Sequence, residues 1–167
     1  DLPNIPKVEL LSYHAKKNSV HVTPPMKAFL EEKMWLALFH HPRLVDFWER
    51  ELTRDAHDLL KAVIPHTWVL DSTPVPPHAA ISDLEIGGRV VSDWTELMHL
   101  SKKQRELVIK PSGFAEDAQQ SKGVVIGHDV PEEEWQAALQ TALQSFTTTP
   151  HVLQKFHKGA RLPARYY

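Results

Sequence analysis

The chain has 167 residues, 42% of them hydrophobic, with 19 Lys+Arg against 21 Asp+Glu and no cysteine. That is enough apolar material for one core or two small lobes without a disulfide or metal, and the missing cysteines exclude disulfides, iron–sulfur clusters and every zinc site built on a thiolate. No apolar run reaches the roughly 20 residues of a membrane helix, the DLPNIPKVELL start lacks a signal-peptide pattern, and the near-neutral charge argues against nucleic acid, so a cytoplasmic protein with neither membrane nor nucleic-acid partner is expected.

Along the chain, Val8–Ser12 and Val20–Thr23 read as two short strands around the polar turn AKKNS. After Pro24-Pro25, the apolar residues Met26, Phe29, Leu30, Met34 and Ala37 recur at helical spacing, predicting a helix from Met26 to Phe39 that ends near His41-Pro42. A second helix is predicted over Leu44 to Glu51. A third follows Thr53, its N-cap, with Ala56, Leu59, Leu60 and Val63 on one apolar face and Pro65 beyond its end. Thr67–Leu70 reads as a strand, and Ser72 to His78 (STPVPPH) as a proline-rich connection.

Ser92 to Leu100 predicts a short helix capped by Ser92, with Trp94, Leu97 and Met98 inward. Glu106–Pro111 and Val124–Gly127 read as strands joined by a polar loop of about a dozen residues, long for a hairpin and for that reason a candidate functional segment. A helix follows Asp129, with Pro131 near its first position and Trp135, Leu139, Ala142, Leu143 and Phe146 inward. The last strand is His151–His157. The fold class is therefore α+β: a mixed, largely helical lobe over residues 1–91, then a small antiparallel sheet with one packed helix over residues 92–167.

Two lysines stand out. Lys110 ends an apolar strand and opens onto the polar loop; it either snorkels to water or sits beside an anion as a point charge. Lys33 falls at helical spacing between Phe29 and Ala37 on the apolar face, where its stem either bends around the edge or its ammonium meets an anion such as a phosphate. The loop SGFAEDAQQSKG from Ser112 to Gly123 has glycines near both ends, which suits a backbone nest for phosphate or simply a solvated hairpin loop. It is neither a P-loop nor GxGxxG. The 11 histidines show no HxH or HExxH spacing, so no metal site is assigned. No Gly-x-Ser-x-Gly elbow is present, and no catalytic residue is assigned. From Trp135 to Tyr167 there is no acid, while Lys155, Lys158, Arg161 and Arg165 all occur there; this is either a solvated basic end or a surface that faces phosphates.

In order, LVIKP, the glycine-bounded loop, SKGVVIG, the helix opening PEEEW and the strand HVLQKF resemble the nucleotide-binding subdomain of ATP-grasp enzymes. The upstream EEK containing Lys33 and the IPHT from Ile64 to Thr67 resemble the segment preceding that subdomain in carboxylate–amine ligases, in particular the glutathionylspermidine-synthase-like, circularly permuted branch. The resemblance implies an ATP-grasp-like partial fold in which Lys33 and Lys110 contact ATP phosphates and Ser121, Lys122 and Gly123 fold over them. It also implies that Gln154 lies at the adenine edge, with backbone groups near Lys155 and His157 supplying hinge hydrogen bonds. Lys155 departs from the acidic residue usual there.

Family ligases make an acyl phosphate from a carboxylate and ATP, with magnesium held by acids on strands beyond the hinge. Only ARLPARYY follows Gly159, so the expectation is the ATP-binding portion of a ligase, inactive alone, whose partners are the nucleotide and the remaining lobe of a longer parent that carries the magnesium ligands. A non-catalytic nucleotide-binding or regulatory module and a plain interaction domain are the alternatives.

Overall fold

A computed structural model of the chain describes residues 7–23, 28–74, 76, 79–112, 123–160 and 163. The chain forms two compact units, Asp1–Glu32 and Lys33–Tyr167. Among the described residues no helix is long and apolar enough to cross a membrane.

In the first unit the expected strand Val8–Ser12 is instead helical: α1 spans Val8–Lys16. Its charges suit a helix, with Glu9 in the first turn and His14 and Lys16 in the last, each opposite in sign to the helix-dipole end it occupies. The AKKNS segment read as a hairpin turn is the cap of this helix. Asn18 takes the left-handed conformation, φ 56°, and the N–H groups of Asn18 and Ser19 close onto the carbonyls of Ala15 and His14, which an asparagine tolerates better than most side chains. Val20–Thr23 forms no strand.

The single helix expected from Met26 to Phe39 is also corrected. A 3-10 turn covers Ala28–Glu31, and the Glu32 N–H bonds to the Phe29 carbonyl, three residues back rather than four. The helical phase is lost there, and Phe29 and Leu30 are 50% and 49% exposed. Helix α2, Met34–His40, begins afresh with Lys33 at its N-cap.

The second unit continues through a 3-10 turn at Pro42–Leu44, α3 at Val45–Glu51 and α4 at Arg54–Val63. The Thr53 hydroxyl accepts from the Ala56 N–H, as a threonine N-cap should. The apolar face expected on α4 is not a core face. Leu59 and Val63 are 62% and 60% exposed, and the buried residue of the helix is His57. Its ring lies 5.7 Å from Phe39 of α2 and displaces the aliphatic side chains as the packing contact.

Six strands follow among the described residues: β1 Thr67–Val69, β2 Glu85–Ile86, β3 Arg89–Val90, β4 Leu107–Pro111, β5 Val125–Ile126 and β6 His151–Lys155. Four of them form an antiparallel sheet in the order β1-β6-β4-β5. The β2–β3 hairpin was not expected. Gly87 and Gly88, both at positive φ (60° and 81°), make its two-residue turn, a Gly-Gly signal that was present in the sequence.

The 3-10 segment Trp94–His99 takes its cap from Asp93 rather than Ser92. The Asp93 carboxylate accepts from the Thr95 N–H, and Glu96 reaches back to the N–H of Asp93 in a capping box. Ser92 uses its hydroxyl to donate to Glu96.

Helix α5, Glu132–Gln144, covers one face of the sheet. Trp135, Leu139 and Ala142 are fully buried and share one core with Leu107 and Ile109 of β4, Leu153 of β6 and Trp68 of β1, closed by Leu84, Val91, Trp94 and Leu97. Each large side chain removed from water there contributes about 1.5–3 kcal/mol. The Trp135 indole N–H donates to the Leu97 carbonyl at 2.7 Å, so its polar end is satisfied. Gly127 is required by a close approach, because a Cβ there would lie 2.7 Å from the Arg105 carbonyl oxygen.

Candidate functional site

Side chains alternate across a strand, so with Leu107, Ile109 and Leu153 in the α5 core, Val108, Lys110, Val152 and Gln154 face the other way. The register sets Gln154 beside Val108 on one flank and Thr67 on the other, and Val108 beside Ile126. On this face lies a cleft of about 440 Å³ lined by Lys33, Pro65, Val108, Lys110, Val124, Ile126, Gln154, Lys155, Phe156 and His157. Its floor is aliphatic, and its polar lining carries Lys33, Lys110 and Lys155 with no carboxylate among the described residues.

Lys33, Lys110, Gln154, Lys155 and His157, expected at a nucleotide site, thus meet at one cleft. Lys33 arrives by a different route from the one expected: it stands at the N-cap of α2 rather than within an apolar helix face. Gly123, at φ 70°, precedes Val124 of the lining but does not itself line the cleft. Ser121 and Lys122 lie outside the described residues, as do Arg161 and Arg165 of the basic C-terminal stretch.

The cleft contains a defined hydrogen-bond chain. The Lys110 ammonium donates to Gln154 Oε1 at 2.5 Å, Gln154 Nε2 donates to Thr67 Oγ1 at 2.9 Å, and the Thr67 hydroxyl donates to the Pro65 carbonyl at 2.8 Å. A carbonyl only accepts, so the Thr67 proton is committed to Pro65. That leaves Thr67 Oγ1 as an acceptor, turns the amide nitrogen of Gln154 toward it, and aims the amide oxygen at Lys110. Gln154 and Thr67 are 6% and 1% exposed, which holds the chain in one arrangement. Burial holds the Lys110 ammonium below the usual lysine range, and the charge of Lys33 adds to the effect.

The Gln154 amide is engaged at both ends within the protein, so its structural part is to orient Lys110. The backbone N–H of Lys155 donates to the His66 carbonyl at 2.9 Å, and that of Phe156 to the Glu106 carbonyl at 3.0 Å. Thr67, Val108, Ile126 and Phe156 were not singled out as site residues. Strand alternation outward from Lys110 identifies Val108, whereas Thr67 and Phe156 join the cleft only through strand pairing and chain direction after β6.

No protein-family model, curated protein or solved structure matches the chain.

Proposed function

We propose that the cleft between Lys33, Lys110 and the end of β6 binds the phosphates of ATP, as the nucleotide-binding portion of a cytoplasmic ATP-grasp-like carboxylate–amine ligase. The supporting observation is Lys110: a half-buried ammonium whose hydrogen-bond partner is the neutral amide of Gln154, in a cleft it shares with Lys33 and whose lining has no acid among the described residues. Burial disfavours the charged form of Lys110, and its partner is a neutral amide rather than a carboxylate. A phosphate would offset that cost and gain a charge-assisted contact with Lys110. The aliphatic floor of Val108, Val124 and Ile126, with the Phe156 ring, offers an apolar surface for a base, as small-molecule sites generally do.

Binding and orientation of phosphates by Lys33 and Lys110 is the step these residues support. Magnesium would neutralise charge as it develops on the transferred phosphoryl group. No cluster of three or more histidine, cysteine or acidic side chains is arranged for a metal among the described residues, so magnesium is assigned no ligand. Calorimetry with ATP tests the reading: saturable binding at about millimolar nucleotide or tighter is expected, weakened at least about tenfold by Lys110→Met. No heat with ATP, or an unchanged affinity in Lys110→Met, refutes it.

A further inference from the structure

A second cleft of about 370 Å³ adjoins the first and is lined by His40, Lys61, Ala62, Val63, Ile64, Pro65, His66, Lys155 and His157. It shares Pro65, Lys155 and His157 with the nucleotide cleft. Among the described residues its titratable lining consists of His40, Lys61, His66, Lys155 and His157, without a carboxylate. We propose that this cleft is a binding site for a small oxyanion, a phosphate or carboxylate group, and that it binds more tightly when the stacked His40–His66 pair takes up a proton.

The two imidazoles stack at 4.4 Å with 22° between their planes, and His66 packs in turn on Trp68 at 4.4 Å. His40 Nε2 lies 3.3 Å from the Ile64 carbonyl oxygen, which can only accept, so this nitrogen carries the hydrogen and a further proton must add at Nδ1. The Lys155 N–H holds the His66 carbonyl and ties this wall to β6.

Burial lowers the pKa of both rings. For His40 the carbonyls of Ile64 and Pro65 and the charge of Asp83 act against this, and Lys61 adds to it. For His66 the charges of His40 and Lys155 add to the lowering and Asp83 opposes it. Both rings are therefore mainly neutral near pH 7, and the cleft gains positive charge as pH falls. The carbonyl end of α4, equivalent to about half a negative charge, works against an anion. The Asp83 carboxylate, which acts on both rings, also works against an anion; Lys61 and Lys155 each contribute a full positive charge against it, and His40 already satisfies the Ile64 carbonyl, so the balance favours an anion.

The test is histidine-ring NMR on the 167-residue chain, titrated with sulfate, a phosphate mimic that stays a dianion at both pH values, or with acetate, at ionic strength held constant by chloride, at pH 7.5 and 5.5. The His40 and His66 signals should shift saturably, with binding at least about threefold tighter at the lower pH, since an anion that favours the protonated ring must bind better where the proton is available. The stronger of the two anions identifies the chemistry. Lys61→Gln, on the exposed side of α4, should weaken binding about threefold or more. His66→Phe, which keeps a ring between His40 and Trp68, should flatten the pH dependence. Lys110→Met should leave these shifts unchanged. The proposal is overturned if neither anion produces saturable shifts, if Lys61→Gln is without effect, if His66→Phe keeps the full pH dependence, or if Lys110→Met removes the shifts and so assigns the anion to the first cleft.

Discussion

Replacing Thr67 by valine preserves shape and removes both functions of the hydroxyl in the chain Lys110–Gln154–Thr67–Pro65. Thr67 is 1% exposed and Gln154 6%, so water cannot substitute freely. The variant leaves the Pro65 carbonyl without the 2.8 Å donor and Gln154 Nε2 without the 2.9 Å acceptor. An unsatisfied buried group costs about 1–3 kcal/mol, so two cost about 2–6 kcal/mol, and the added apolar methyl recovers under about 1 kcal/mol.

A loss of about 1–5 kcal/mol is therefore expected for Thr67→Val in urea unfolding, a large share of the stability of an ordinary domain. Thr67→Ser keeps the hydroxyl and should cost less, mainly through the missing methyl. The double variant Thr67→Val/Gln154→Leu should be more stable than the sum of the two single losses implies, by at least about 1 kcal/mol, because it removes the stranded amide together with its partner. If Thr67→Val stays within about 0.5 kcal/mol of wild type, or the two changes add without coupling, the proton assignment that aims Gln154 at Lys110 is wrong.

Three further outcomes follow from the same geometry. Gly127→Ala should cost about 1–3 kcal/mol in denaturant unfolding, because its Cβ would meet the Arg105 carbonyl at 2.7 Å and the Trp135 ring at 3.1 Å; a neutral result would mean the backbone there yields easily. Gln154→Glu should lessen the positive charge of the first cleft and weaken ATP at least about fivefold by calorimetry, while giving Lys110 an ionic partner that raises its pKa; unaltered affinity would remove Lys110 from the binding account. Because His40 and His66 have lowered pKa values in the folded chain, the unfolded state takes up more protons as pH falls below about 6.5, so unfolding free energy should decline from pH 7.5 to pH 5 and the decline should be smaller in His66→Phe. A stability flat in pH across that interval, with the variant indistinguishable from wild type, would contradict the burial assigned to these rings.

The most legible part of the sequence was its second half. The strands of ELVIKP, VVIG and HVLQKFH and the α5 helix were predicted because short apolar runs bounded by Pro, Gly and polar residues and the Trp135–Leu139–Ala142 spacing each point to one element type, and the structure places them in an antiparallel sheet with one helix over it. The first half was misread where polar signals have two meanings. The Asn18 that marks a hairpin turn also caps a helix, and apolar spacing around Lys33 looks continuous although a three-residue turn breaks the phase before α2.

Composition and pattern alone determined an α+β chain without thiol chemistry and picked out Lys33 and Lys110, since a charge on an apolar helix face or ending an apolar strand is conspicuous; Gln154, Lys155 and His157 came as site residues only from the resemblance to ATP-grasp enzymes. Tertiary structure decided what those residues face. Cross-strand register, a property of three strands far apart in sequence, put Thr67 behind Gln154 and Gln154 behind Lys110. The turn from α4 into β1 brought His66 onto His40. Neither contact has a local signature, because each depends on which chains lie side by side rather than on the order of residues within any one of them.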